Sequence, residues 1–166
     1  MEIDELFGLP AHPLFVHGAV VLLPLAATVT IVVSLFPRTR RSYAPVAVAM
    51  AIMATILVGL AQGSGEELED RVVETELVEA HADKGEGVLP WAIGVTLAAV
   101  AVVAVAALSQ RFPNTGFSRR SVSLAIAAFA LLTGIAATWV VVDVGHSGAK
   151  ATWDDTPAEN DEYDDD

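Results

Sequence analysis

The sequence predicts an all-α fold: a four-helix transmembrane bundle with a short extra-cytoplasmic helix between the second and third spans. Three observations carry this. More than half of the 166 residues are apolar. They lie in four charge-free blocks, Leu14–Phe36, Tyr43–Gln62, Val88–Gln110 and Ser121–Val142, not with the period of 2 or 3.6 of a soluble domain. Each block is also close to the ~20 helical residues that cross a hydrocarbon core about 30 Å thick. In lipid the backbone must satisfy its own hydrogen bonds, so such blocks are helices. They lack the apolar/polar alternation of a barrel strand.

Helix 1 is expected over about residues 14–36. It is announced by Pro10 and His12-Pro13 and ended by Phe36-Pro37, since proline suits a first helical turn and breaks a later one. The first residues carry Glu2, Asp4 and Glu5, the wrong sign for a secretory signal, so this block is expected to stay as an anchor. Helix 2 is expected over 43–62, from Tyr43-Ala44-Pro45 to Gly63-Ser64-Gly65. The following loop reads as a short helix with Ser64 and Glu67 as a capping box. Val73, Leu77 and His81 fall on one face at i, i+4, i+8, which seats the helix on the bundle with His81 inward. Gly85 and Gly87 stop it. Helix 3 covers 88–110 and ends at Phe112-Pro113-Asn114-Thr115-Gly116; helix 4 covers 121–144. Residues 1–153 thus form one membrane domain. The acidic tail 154–166 has too little to bury and is expected to be disordered.

The charges orient the bundle. Arg38, Arg40 and Arg41 lie in the first connection and Arg111, Arg119 and Arg120 in the third, with no acid in either. Short basic loops stay cytoplasmic. Both termini and the Glu66–Gly87 segment are therefore expected outside, in a multi-pass protein of the plasma membrane. The net charge of −12 then belongs to the outer face and argues against nucleic acid as a partner; the lipid bilayer is the partner the composition implies. There is no cysteine, which excludes disulfides, thiolate iron–sulfur sites and covalently attached haem.

All four histidines map to the outer side: His12 and His17 at the start of helix 1, His81 on the loop helix and His146 past helix 4. Imidazole is the commonest metal ligand and can hold haem iron. His17, His81 and His146, one from each element, are the expected ligands of a haem b or a divalent metal. His17 lies at least a turn inside the first helix, where a polar side chain is expected to face the bundle or a cavity; a hydrogen bond to a neighbouring helix satisfies it equally. His12 is the lesser candidate, because it lies five residues away, about 140° around a helix. Asp143, three residues before His146, is a candidate carboxylate for a ligating histidine's second nitrogen, or an acid reaching the headgroup layer. No nucleophile motif or phosphate loop is present, so the chain is not expected to be an enzyme.

With these residues the chain resembles the predicted membrane protein family catalogued as domain of unknown function 2231. The resemblance rests on His12-Pro13-Leu14-Phe15-Val16-His17, on His81 with Gly85, and on Gly145-His146-Ser147-Gly148. It covers about Leu9 to Trp153. Where the family pattern follows the second histidine with Phe-Pro, this chain has Gly18-Ala19. Some relatives carry attached Rieske or cytochrome-type domains, which implies electron transfer by association. Two readings follow: a haem- or metal-binding accessory subunit of a respiratory or redox complex, or a structural or assembly subunit with no cofactor.

Overall fold

The computed structural model describes residues 5–6, 9–111 and 119–154. The expected turn at 112–116 and most of the acidic tail lie outside them. The elements, in order, are a two-residue antiparallel pair, β1 (Glu5–Leu6) and β2 (Leu9–Pro10), then α1 (Ala11–Leu35), α2 (Arg40–Glu69), α3 (Glu76–Glu86), α4 (Val88–Arg111) and α5 (Arg119–Trp153). Four helices are long and apolar enough to span a membrane. They form a closed ring in which α1 packs on α2, α2 on α4, α4 on α5, and α5 on α1.

The ring closes tightly because its seams are built from small residues. Ala26, Ala47, Ala51, Ala54, Ala92, Ala98, Ala99, Ala130 and Ala137 are buried. In lipid there is little hydrophobic drive between helices, so dispersion from close backbone approach takes its place. A β-carbon at Gly94 would stand 2.9 Å from Thr133 Cγ2, so the α4–α5 seam has no room for a larger residue there. Thr55 on α2 meets α4 through two polar contacts: its Oγ1 lies 2.9 Å from Thr96 Oγ1 and 3.2 Å from Ala92 O, and it also lies 2.9 Å from Ala51 O of its own helix.

The helices alternate in direction and give the bundle two unlike ends. At one end α1 finishes, α2 begins, α4 finishes and α5 begins, and six arginines gather there. Arg40 ties this end together. Its guanidinium donates to the carbonyls of Val33 and Ser34 and to Ser123 Oγ. The two carbonyls belong to the last turn of α1, where four acceptors lack intrahelical partners and a cation is favoured. The opposite end carries all four histidines.

Two helices run longer than the sequence suggests. α2 passes through Gly63-Ser64-Gly65 to Glu69, so Ser64 is no helix cap. It is buried in the helix, with its hydroxyl donating to Leu60 O at 2.7 Å. The cap of α3 is Thr75, whose hydroxyl accepts from Val78 N–H at 3.3 Å. Val73 precedes α3 and is 82% exposed, so it does not seat the helix. Leu77, Val78, His81 and Ala82 are the half-buried face. α5 continues past Val144 to Trp153, which puts His146, Ser147 and Gly148 inside a helix.

At 1.5 Å per residue, α1 is about 37 Å long, α2 about 45 Å and α5 about 52 Å, against a hydrocarbon core of about 30 Å. The excess of α2 and α5 projects at the histidine end, where α3 packs against both.

Candidate functional site

The histidine end is assembled from the first turn of α1, the last turns of α2, all of α3 and the last turns of α5. α1 enters through Pro10 and Pro13, which lack an N–H where the helix has no use for one. One face of α1 holds the buried Ala19, Leu23, Ala26 and Thr30. His12 lies seven residues before Ala19, on that same face, and is half-buried. Its Nδ1 lies 2.8 Å from Ala61 O on α2. A carbonyl only accepts, so Nδ1 carries a proton, and in the neutral ring the lone pair is then on Nε2. The ring rests on Gly65, where a β-carbon would stand 3.0 Å from both Cε1 and Nδ1. Gly65 therefore serves close approach and does not stop the helix.

His81 mirrors this arrangement on the other side. Its Nδ1 lies 3.0 Å from Ser147 Oγ on α5. The Ser147 hydroxyl donates to Val144 O at 2.8 Å, so its only proton is spent and the oxygen accepts from His81. Again Nδ1 holds the proton and Nε2 is bare. The ring lies against Gly148, where a β-carbon would stand 2.8 Å from Cε1. Burial, then the charge of His12, lower the His81 pKa from its usual 6.5; the Val144 backbone and Glu69 act in the opposite sense more weakly. The His81–Ser147 contact is not a nucleophile–base pair, because the hydroxyl proton points at Val144 O and not at the ring.

α3 is held over this end at three points: the His81–Ser147 bond, Gln62 and Lys84. Gln62 Nε2 donates to Gly85 O at 2.8 Å and Glu86 O at 3.3 Å, satisfying carbonyls at the end of α3 from α2. Lys84 Nζ bridges both oxygens of Asp143, at 3.1 and 2.9 Å.

The histidines favoured by the sequence are therefore distributed differently. His17 is exposed on the outer surface of α1, with its Nδ1 bonded to Pro13 O of its own helix. It faces neither the bundle nor a cavity. The five-residue offset from His12 turns it away. His146 is exposed and lines a shallow depression of about 340 Å³ with Ala149, Lys150, Trp153 and Asp154. Asp143 bonds Lys84 and not a histidine. Among the described residues no three His, Asp or Glu side chains gather as a metal-binding group. Of the four histidines, His12 and His81 are the two partly buried ones, His12 set against α2 and His81 against α5. Sequence reasoning missed Ala61, Gln62, Gly65 and Gly148 as their support. The signal present was small or hydroxyl residues flanking each motif, Gly63-Ser64-Gly65 and Ser147-Gly148.

A family model described as predicted membrane protein (DUF2231) matches residues 8–158. This span contains every histidine and every residue that supports one. No curated protein and no solved structure matches the chain.

Proposed function

We infer that this chain, which belongs to the DUF2231 family of predicted membrane proteins, is an accessory subunit of a membrane redox complex that holds a haem or a metal ion at its histidine end. The observation that supports this reading is the paired setting of His12 and His81. Each ring gives its Nδ1 proton to a fixed acceptor and leaves Nε2 bare. Ligating histidines are oriented in this way, by an acceptor on the second nitrogen. A metal ion fits such donors directly. A haem would lie at the end or flank of the bundle, since Ala19, Ala54, Val58, Val88 and Val141 fill the interior. His17 and His146, both outward-facing, suit a cofactor shared with a neighbouring subunit. The reading assigns no catalysis to the chain itself. It places the protein in the plasma membrane with the histidine end outside and the arginine loops in the cytoplasm, on the positive-inside rule.

The test is a visible spectrum and metal analysis of the purified protein, with Ala at His12, His17, His81 and His146 in turn and Asn at Asp143. A haem chromophore or stoichiometric metal that is lost on replacing a histidine supports the reading. A colourless, metal-free protein whose Ala variants assemble normally overturns it. In that case the structural reading stands, and one observation favours it: the same two hydrogen bonds already tie α1 to α2 and α3 to α5.

A further inference from the structure

We propose that the arginine end of the bundle is a docking surface for anionic phospholipid, anchored on the α1–α2 turn. Arg38 and Arg41 take headgroup phosphate there, and Phe36 and Tyr43 take the adjoining part of the acyl chains. The proposal is independent of any cofactor at the opposite end.

The charges at this end have no counter-ion in the chain. No Asp or Glu lies between Glu5 and Glu66, or between Glu86 and Asp143, and all six arginines of the two connections fall in these stretches. Arg40 is satisfied internally, by the Val33 and Ser34 carbonyls and by Ser123 Oγ. Arg38, Arg41, Arg111 and Arg120 are exposed. Their counter-anions must come from outside the molecule.

Membrane depth decides which anion meets them. Arg38 and Arg41 each stand two residues from an apolar block, the one ending at Phe36 and the one beginning at Tyr43; Arg111 and Arg120 adjoin Gln110 and Ser121. With a rise of about 1.5 Å per residue, the guanidinium groups lie in the headgroup layer, among lipid phosphates. The planar guanidinium fork matches phosphate geometry. A zwitterionic headgroup brings its own ammonium, which offsets this attraction; an anionic one does not.

The turn holds its arginines in place. Only residues 36–39 separate α1 from α2. The Phe36 N–H donates to Val32 O, and both the N–H and the hydroxyl of Thr39 donate to Phe36 O, at 3.0 and 2.7 Å. Arg40 pins this turn to α1 and, through Ser123, to α5. Phe36 and Tyr43 are 58% and 57% exposed, and Leu35 and Val46 beside them are exposed too. A phospholipid therefore meets charge at its headgroup and apolar surface along its chains. An insertion signal needs the charges alone; it needs neither the ordered turn nor the exposed aromatic pair.

The experiment reconstitutes the full chain in phosphatidylcholine bilayers and adds a trace of spin-labelled phosphatidylglycerol or phosphatidylcholine with the same chains. Electron paramagnetic resonance reads the fraction of each lipid that the protein immobilises. The expected result is a preference for phosphatidylglycerol of about fivefold or more at low salt, since one basic residue at a membrane surface contributes roughly that factor. The preference should largely vanish at about 1 M salt, where the screening length is about 3 Å. Arg38→Gln with Arg41→Gln should remove most of it, while Lys150→Gln, on α5 at the other end, should leave it intact. Both arginine side chains are exposed, so the double variant should unfold at the parent's temperature in detergent; if it does not fold, the salt response of the parent decides. Equal immobilisation of the two lipids by the parent, or a preference indifferent to salt, overturns the proposal. So does a preference that survives in the folded double variant or is lost in Lys150→Gln. Inorganic phosphate that abolishes the preference where chloride of equal ionic strength does not would assign the arginines to a free anion, and overturns lipid docking as well.

Discussion

A β-carbon at Gly148 would stand 2.8 Å from His81 Cε1, inside any distance that real side chains tolerate, and the ring has no flexible end to give way. Gly148→Ala should therefore push α3 outward. The expected loss is about 1–3 kcal/mol, the usual cost of overpacking, read by thermal unfolding in detergent. Gly145→Ala, three residues away with open space at its β-position, should be neutral or slightly stabilising. An equal gain at both would mean that helix propensity, which favours Ala over Gly, and not the His81 contact, decides. His81 also sets a pH dependence. Burial, and then the charge of His12, lower its pKa from 6.5, against the weaker pull of Val144 and Glu69. The unfolded chain then takes up a proton at higher pH than the folded one. Stability attributable to His81 should be intact above pH 6.5 and decline as pH falls below it, until the folded group also protonates. His81→Asn should flatten that part of the profile; an unchanged profile would show that another group titrates.

At the scale of elements, α3 is the part held least by packing, since it has no fully buried residue. Its local order rests on the Thr75 cap, the Gln62 bonds and the contacts to α5. The Lys84–Asp143 pair, with side chains 45% and 47% exposed, adds little, as exposed ion pairs do. Thr75→Ala should cost about 1 kcal/mol of local stability. Hydrogen exchange should quicken over Glu76–Glu86 while α1, α2 and α5 keep their protection; uniform quickening would mean that α3 opens only with the whole bundle. The four spans were legible because lipid imposes a length and forbids charge. A helix before the third span was legible from its glycine stop, but its start was not, since Ser64 and Glu67 belong to α2 and Thr75 caps α3. The ends of α2 and α5 were not. Gly65 reads as a terminator and helix 4 reads as ending at Val144, but Gly65 and Gly148 lie inside helices, where each serves a ring contact from a helix distant in sequence. The choice between His12 and His17 was partly legible. Seven residues separate His12 from Ala19 and five separate it from His17, so the buried face of α1 selects His12 once Ala19, Leu23 and Ala26 are taken as its core.

For the whole molecule, the two ends differ in charge and in structure together. One end gathers Arg38, Arg40, Arg41, Arg111, Arg119 and Arg120; the other carries the acids from Glu66 to Glu86 and all four histidines. Arg40 is bound to the α1 carbonyls and to Ser123, so its position at that end is part of the packing. Helix parity ties the ends: with four spans, whichever side receives the α1–α2 connection also receives the α4–α5 connection. Positively charged short connections are retained in the cytoplasm. Reporter fusions after Arg40 and after Asn114 should therefore read cytoplasmic, and fusions after Glu76 and at the C-terminus should read outside. If the arginines decide, changing Arg38, Arg41, Arg119 and Arg120 to Glu should produce mixed orientations, while Arg40, left in place, keeps the bundle packed. A single, unmixed orientation in that variant would show that the arginines are not the signal. The opposite readings from the parent fusions would place His12 and His81 on the cytoplasmic side, and any metal reaching them would have to come from the cytoplasm.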